Sequence, residues 1–400
     1  MRPILICLLA GSFALQVCGA EPRLERIEVF EGGKEGYPIY RIPGIVVTSK
    51  GTVLAYCEAR QSYSDWGTID IVMRRSVDSG KTWSPHQKIA DMPGPRKKNP
   101  LILGNPRVKA DDVTFNNAVA IADKDGTIHF LFCYEYMRCF YQRSEDDGLT
   151  WSKAREITDA FEGFRSQFEW KVLATGPGHG IQLRNGRLLV PVWISPGTGA
   201  AAHRPSVAGT LFSDDGGKNW RTGEIAAPNT ADWLNPNEAA VVQLEDSSVV
   251  LNARTESKAY RRLVTTSPDG TTHWSTPRFD NALGEPVCMA SMVRVSQTPR
   301  KNRIVFANPD NLSRADAKDV AVRRARKNVS IKLSYDETKT WPINKVLEPG
   351  YSGYSDLAVL PDGTILCLFE RGAERVDFLT LARFNLEWLT DSKDSYEVIK

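Results

Sequence analysis

One short pattern recurs six times along this 400-residue chain: a strand, a tight turn, then a second strand. It reads SKGTVLAYCEA, DKDGTIHFLFCY, RNGRLLVPVWI, EDSSVVLNAR, RKNRIVFANP and PDGTILCLFE. The turns centre on Gly51, Gly126, Gly186, Ser247, Asn302 and Gly363, at intervals of 75, 60, 61, 55 and 61 residues. Each turn is followed by alternating or β-branched apolar residues, the signal of half-buried strands. A second motif interleaves with the first. Ser76-Val-Asp78-Ser-Gly80-Lys-Thr82-Trp83 has the form S-x-D-x-G-x-T-W, and Ser144–Trp151 repeats it in full. Ser213–Trp220 carries Asn219 in place of Thr, while Ser267–Trp274 and Ser334–Trp341 have Thr where Gly stood. In such a box the Asp carboxylate accepts backbone N–H groups, Gly supplies a positive φ, and Trp buries a large ring. Repeats of about 60 residues, each worth four strands, predict an all-β fold, a six-bladed β-propeller, over residues 21–400 as one domain.

Residues 1–20 stand apart. Arg2, the apolar run Ile4–Val17 and the small residues ending at Ala20 read as a secretory signal peptide. That predicts a secreted or periplasmic protein; lipoprotein anchoring at Cys18 fits less well, because Val17 is bulky for the preceding position. No other stretch is long and apolar enough to span a bilayer. Past the leader, five cysteines remain (Cys57, Cys133, Cys139, Cys288 and Cys367), an odd number without a CxxC, so no disulfide framework is expected. Fifty-one basic against 48 acidic residues leave a net charge of +3, which argues against a nucleic-acid partner held by a broad basic field. The five His lack metal-ligand spacing, and neither HExxH nor a phosphate loop is present. Gly350-Tyr351-Ser352-Gly353 only approaches a GxSxG elbow. The DDG stretches lack the flanking helices and final Glu of a calcium loop.

Five Trp boxes together with Tyr40-Arg41-Ile42-Pro43 resemble the exo-sialidases (neuraminidases) of bacteria and animals across nearly the whole of 21–400. The resemblance implies retaining hydrolysis of terminal α-linked sialic acids on sialylated glycans. It implies no metal or organic cofactor; without an added lectin-sized segment, the catalytic domain is expected to act alone as a monomer. The chemistry explains the residues such a site needs. The substrate carries a carboxylate on its anomeric carbon, and arginine forks match a carboxylate. A carboxylate nucleophile would be repelled by that anion, so the family uses Tyr beside a basic carboxylate.

Carried onto this sequence, the resemblance makes Arg41, Arg262 and Arg326 the arginine triad. Arg60, in CEAR, becomes a fourth arginine beside the acid loop. Arg261 borders Arg262, and Arg323 and Arg324 border Arg326, so each has neighbours that could be mistaken for it. Asp65 in ARQSYSDWGTID is the implied acid, with Asp70 as runner-up. Tyr354 in GYSGYSDLAVLPDG is the implied nucleophile, Tyr351 a decoy, and Glu238 in LNPNEAAVV the base. Glu370 in CLFERG is expected to orient Arg41. Trp66, Trp193 and Trp233 are candidate walls for the N-acetyl group, and His179 is a candidate rim residue. Two other readings stay open: a sialoglycan-binding propeller without turnover, and transfer or anhydro-sugar release on the same frame.

Overall fold

The structure, a computed structural model, describes residues 20–106, 108–198, 202–296, 300–311 and 324–396. The leader over 1–19, Cys7, Cys18 and Arg323 lie outside the described residues. Five antiparallel-rich sheets follow one another in chain order. The first comprises Ile39–Val47, Val53–Arg60, Ile69–Ser76 and Gln87–Lys88. The second comprises Phe115–Ala122, Ile128–Tyr134, Arg138–Ser144 and Arg155–Glu156, with Gly178–His179 added parallel to its first strand. Val172–Thr175, Leu188–Ser195, Val207–Ser213 and Arg221–Ala227 build the third. Ala239–Gln243, Val249–Ala253, Arg261–Ser267 and Arg278–Gly284 build the fourth. The last sheet has seven strands and turns through the long strand Ile343–Val359. Its final partner is the N-terminal strand Leu24–Glu31, paired with Phe378–Phe384. First and last segments therefore close the arrangement on each other, and the whole is an all-β, propeller-like ring.

Hydrophobic clusters fill the spaces between successive sheets. Leu54, Tyr56, Ile71 and Met73 of the first sheet meet Phe130 and Phe132 of the second. Ile45 and Ala55 meet Leu366 and Leu379 of the last, which seals the ring. The box tryptophans wedge these junctions: Trp83, Trp151, Trp220, Trp274 and Trp341 each pack into a different cluster. Their position explains why a turn motif recurs with the sheet period.

The boxes work as their sequence implies. Asp78 Oδ1 accepts the N–H groups of Lys81 and Thr82 at 3.1 and 2.9 Å, and Ser76 Oγ accepts the N–H of Gly80 at 2.8 Å. Gly80, Gly148 and Gly217 have φ of 85°, 78° and 80°. The altered boxes solve the same turn differently. Ser267 caps Gly270, one residue earlier than in the others, with φ 78° there. Ser334 caps Thr338, which takes φ 67° beside Glu337 at 60°. Each such non-glycine residue costs about 1–2 kcal/mol, which the Asp336 hydrogen bonds to Thr340 offset.

Candidate active site

At one end of the ring, the starts of the innermost strands and the ends of their neighbours converge. Arg41 lies early in Ile39–Val47, and Glu238 immediately precedes Ala239–Gln243. Arg60 ends its strand, Arg254 follows Val249–Ala253, and Glu370 sits near the end of Ile365–Arg371. Register irregularities fall where three innermost strands reach the site, between Arg41 and Gly44, Asn116 and Val119, and Ser352 and Ser355. A bulge bends a strand and re-aims its side chains. Ile42 and Asn117 adopt φ of 58° and 52° in these bulges, unusual for non-glycine residues. The result is an enclosed cavity of about 130 Å³ lined by Arg41, Arg60, Asp65, Glu238, Arg254, Arg326 and Tyr354, among others.

Tyr354 is its centre. The buried phenol donates to Glu238 Oε1 and Oε2 at 2.6 and 2.8 Å. Arg254 Nη1 donates to the same phenol oxygen at 2.8 Å and pairs with Glu238. Burial and the Glu238 charge push the phenol well above its ordinary pKa, against the pull of Arg254 and Arg326. Tyr354 therefore holds its proton, with the Glu238 carboxylate as the acceptor facing it. Two further guanidinium groups flank the ring: Arg41 Cζ is 5.4 Å and Arg326 Cζ 5.0 Å from its centroid.

Glu370 holds this geometry. Its fully buried carboxylate accepts Arg41 Nε at 3.0 Å, Ile42 N–H at 3.1 Å and Tyr354 N–H at 3.2 Å. One side chain thus fixes an arginine, the strained bulge and the Tyr354 backbone together. The expectation that Glu370 orients Arg41 agrees with this arrangement. Arg326 is steadied by Val287 C=O at 2.9 Å; its neighbour Arg324 is exposed.

Opposite Tyr354, Arg60 is fully buried and bridges Glu58 and Asp65, reaching Asp65 Oδ1 at 2.9 Å. Glu58 is in turn anchored by Asn117 N–H at 2.9 Å. Asp65 keeps 46% of its side chain exposed on the loop. Partial burial raises its pKa, but Arg60, His203 and Arg41 outweigh that and hold it well below the carboxylate range. Behind the loop, Trp66, Tyr136 and Trp193 enclose His203 with ring centroids 5.4, 4.6 and 5.3 Å away. Burial lowers the His203 pKa to about 4, although Asp65 opposes the shift.

Arg262 is a correction. It is fully buried in the fourth sheet, and the cavity does not include it. Its guanidinium donates to Asn252 Oδ1 at 2.6 Å, Asn252 C=O at 2.9 Å, Glu285 at 2.9 Å and Cys288 C=O at 2.9 Å. Strand alternation turns it inward, where it ties down the Glu285–Cys288 segment. Arg254, at the end of the preceding strand, occupies the expected third position. Arg261 is held by the carbonyls of Tyr260 and Asn281. Asp70 pairs with Tyr37 and Lys88, and Tyr351 stays outside the cavity lining. Trp193 lines the cavity and Trp66 packs behind it in the same cluster, whereas Trp233 packs on Ala208, Ala227 and Leu263. His179 lies deeper on the axis, bonded to Asp356 at 2.7 Å. Arg254, Glu58, Tyr136 and His203 were not singled out from sequence. Arg254 had a readable signal, since LNAR repeats the strand-ending CEAR that marks Arg60.

Among the described residues, no group of three or more His, Cys, Asp or Glu could hold a metal ion, and no helix is long and apolar enough to cross a membrane. The BNR repeat-like domain profile matches residues 98–367. The chain is 30% identical over 402 residues to a sialidase of Micromonospora viridifaciens, covering 93% of this chain and 55% of that one. It is 30% identical over 385 residues to Sialidase-2 of Mus musculus, covering 90% and 95% respectively. Among solved structures, the Hadza microbial sialidase Hz136 superposes with a TM-score of 0.70 at 27% identity, covering 91% of this chain and 69% of that one. The chain spans little more than half the length of the Micromonospora relative.

Proposed function

Because the chain belongs to the sialidase family of BNR-repeat proteins, we propose that it is an exo-α-sialidase acting by a retaining, tyrosine-based mechanism. The observation that carries the reading is the Tyr354 hydroxyl bonded to Glu238 at 2.6 Å inside a ring of arginines that faces Asp65. Arg41, Arg254 and Arg326 clamp the substrate carboxylate. Its negative charge offsets the cations that keep Asp65 ionised, so Asp65 can take up a proton and pass it to the leaving oxygen. Tyr354 Oη attacks the anomeric carbon as Glu238 accepts its proton. Water then attacks the tyrosyl adduct with Asp65 as base, and two inversions give net retention. Arg60 positions Asp65 and contacts the sugar beside it.

Six blades fit the same frame if the seven-stranded sheet is divided within Ile343–Val359. The cluster joining Val305 and Ile331 to Leu357 and Cys367 then becomes a junction like the others. The leader over residues 1–20 supports export as the setting, with the chain acting as a monomer on sialylated glycans.

The test is hydrolysis of a fluorogenic α-sialoside, with the released anomer followed by NMR and lactose added as an acceptor. We expect the α-anomer of free sialic acid first, and loss of most turnover in Tyr354→Phe with the fold intact. Near wild-type kcat in Tyr354→Phe would remove the nucleophile assignment. Sialyl-lactose or an anhydro sugar as the main product would shift the reading to transferase chemistry.

A further inference from the structure

Cys133 in Ile128–Tyr134 and Cys139 in Arg138–Ser144 are register partners across one hairpin. The C=O of Cys139 accepts the N–H of Ile157 at 2.8 Å, and its N–H donates to Thr158 Oγ1 at 3.0 Å. Both backbone groups point away from the Cys133 strand. The two cysteines therefore form a non-hydrogen-bonded antiparallel pair, for which Cα atoms lie about 4.5 Å apart. Disulfides span Cα separations of roughly 4.4–6.8 Å. The side chains share one face and one cluster with Leu131, Tyr141 and Leu173, and both are fully buried. Their thiols are unbridged, and Cys133 Sγ lies 3.7 Å from Thr175 Oγ1. Cys57, Cys288 and Cys367 fall in three other clusters.

We infer that Cys133 and Cys139 are the site of a cross-strand disulfide that closes when the chain folds in oxidising surroundings. The oxidant is a thiol-exchanging disulfide, whether a protein or a small molecule. As the Sγ–Sγ bond forms, the two cysteines lose two protons and two electrons, and the oxidant's S–S bond is reduced to two thiols. The bridge would staple the turn that carries Glu135 and Tyr136, whose φ of 53° and 48° are unfavourable for such residues. Tyr136 lines the cavity against His203. Glu135 anchors Lys98 and the Thr114 N–H beneath it. A local staple here fixes the wall on the acid side of the site.

The full chain, exported into an oxidising compartment, is denatured and alkylated without reductant, then digested with trypsin. Cleavage after Arg138 separates the two cysteines, so a bridge leaves peptides 125–138 and 139–143 joined. We expect that joined pair, its disappearance on reduction, and a lower thermal midpoint for the reduced protein. Alkylation of both Cys133 and Cys139, or a bridge from either to another cysteine, overturns the inference. Wild-type protein suffices for the mapping, and Cys139→Ser should leave Cys133 fully alkylated.

Discussion

Replacing Arg254 by Gln separates the two arginines that sequence alone confused. Arg254 Nη1 contacts the Tyr354 oxygen at 2.8 Å and also pairs with Glu238. Charge-assisted hydrogen bonds are worth roughly 1.5–3 kcal/mol each. Gln removes the cation from the cavity, where it faces Tyr354 and Glu238 and, in the proposed mechanism, the substrate anion. A loss of about 3–4 kcal/mol of transition-state stabilisation follows, or roughly 10²–10³ in kcat/KM at 1.36 kcal/mol per decade. The fold should tolerate the change. Glu238 keeps the Tyr354 hydroxyl as donor, and Arg254 lines the cavity rather than a packed junction between sheets. Arg262→Gln should do the reverse. Arg262 is fully buried with Glu285, and breaking a buried pair costs about 3–5 kcal/mol. In a chain of this size that lowers Tm on the order of 5 °C, while activity of the folded fraction is largely retained. The assay is kcat/KM on the fluorogenic sialoside beside a thermal melt of each variant. Arg254→Gln within threefold of wild type, together with a hundredfold loss in a thermally unchanged Arg262→Gln, would refute this placement of the clamp.

The acid assignment is read from the leaving group. Asp65→Ala should slow release from an alkyl glycan by about 10²–10⁴, but release of an acidic phenol by less than about tenfold, because a good leaving group needs no proton; equal losses on both substrates count against Asp65. The boxes predict a pH dependence of stability. Asp146 is held at about 2 by the Thr150 hydroxyl and N–H, and Asp215 at about 2 by the Asn219 N–H and side-chain amide. Their folded pKa values lie below the unfolded carboxylate value of about 3.9, so this stabilisation is complete above pH ~4 and is lost as pH falls towards 2. Thermal melts from pH 5 to pH 2 should show Tm decreasing, less steeply in Asp215→Asn; a level Tm across that range would contradict the account.

What the sequence made legible was local. A box of eight residues makes its own hydrogen bonds and supplies its own wedge, so its recurrence reports the sheet period even where Thr338 replaces Gly. Arg41, Asp65, Tyr354 and Glu370 were likewise readable, each from a short motif that brings its residue to the same end of the ring. Arg254 and Arg262 differ in another way. They stand eight positions apart, both beside apolar strands, and distance from the box Ser267 favoured the wrong one. Box spacing measures position along the third strand of a sheet, whose side chains alternate between neighbouring sheets and cannot reach the axis. Position at the end of the second strand is what counts. Arg60 and Glu370 occupy that position in their own sheets, and Arg254 occupies it in the fourth. Aligning the six strand–turn–strand repeats by their second strands, rather than by their boxes, brings Glu58, Arg254 and Glu370 into register seven residues past their turns, with Arg60 two positions further along. It also leaves Arg262 where its neighbours put it, as the counter-ion of Glu285. His203 escapes any such alignment: it lies in a loop between strands, and only the aromatic rings of Trp66, Tyr136 and Trp193, drawn from three separate segments, place it beside Asp65.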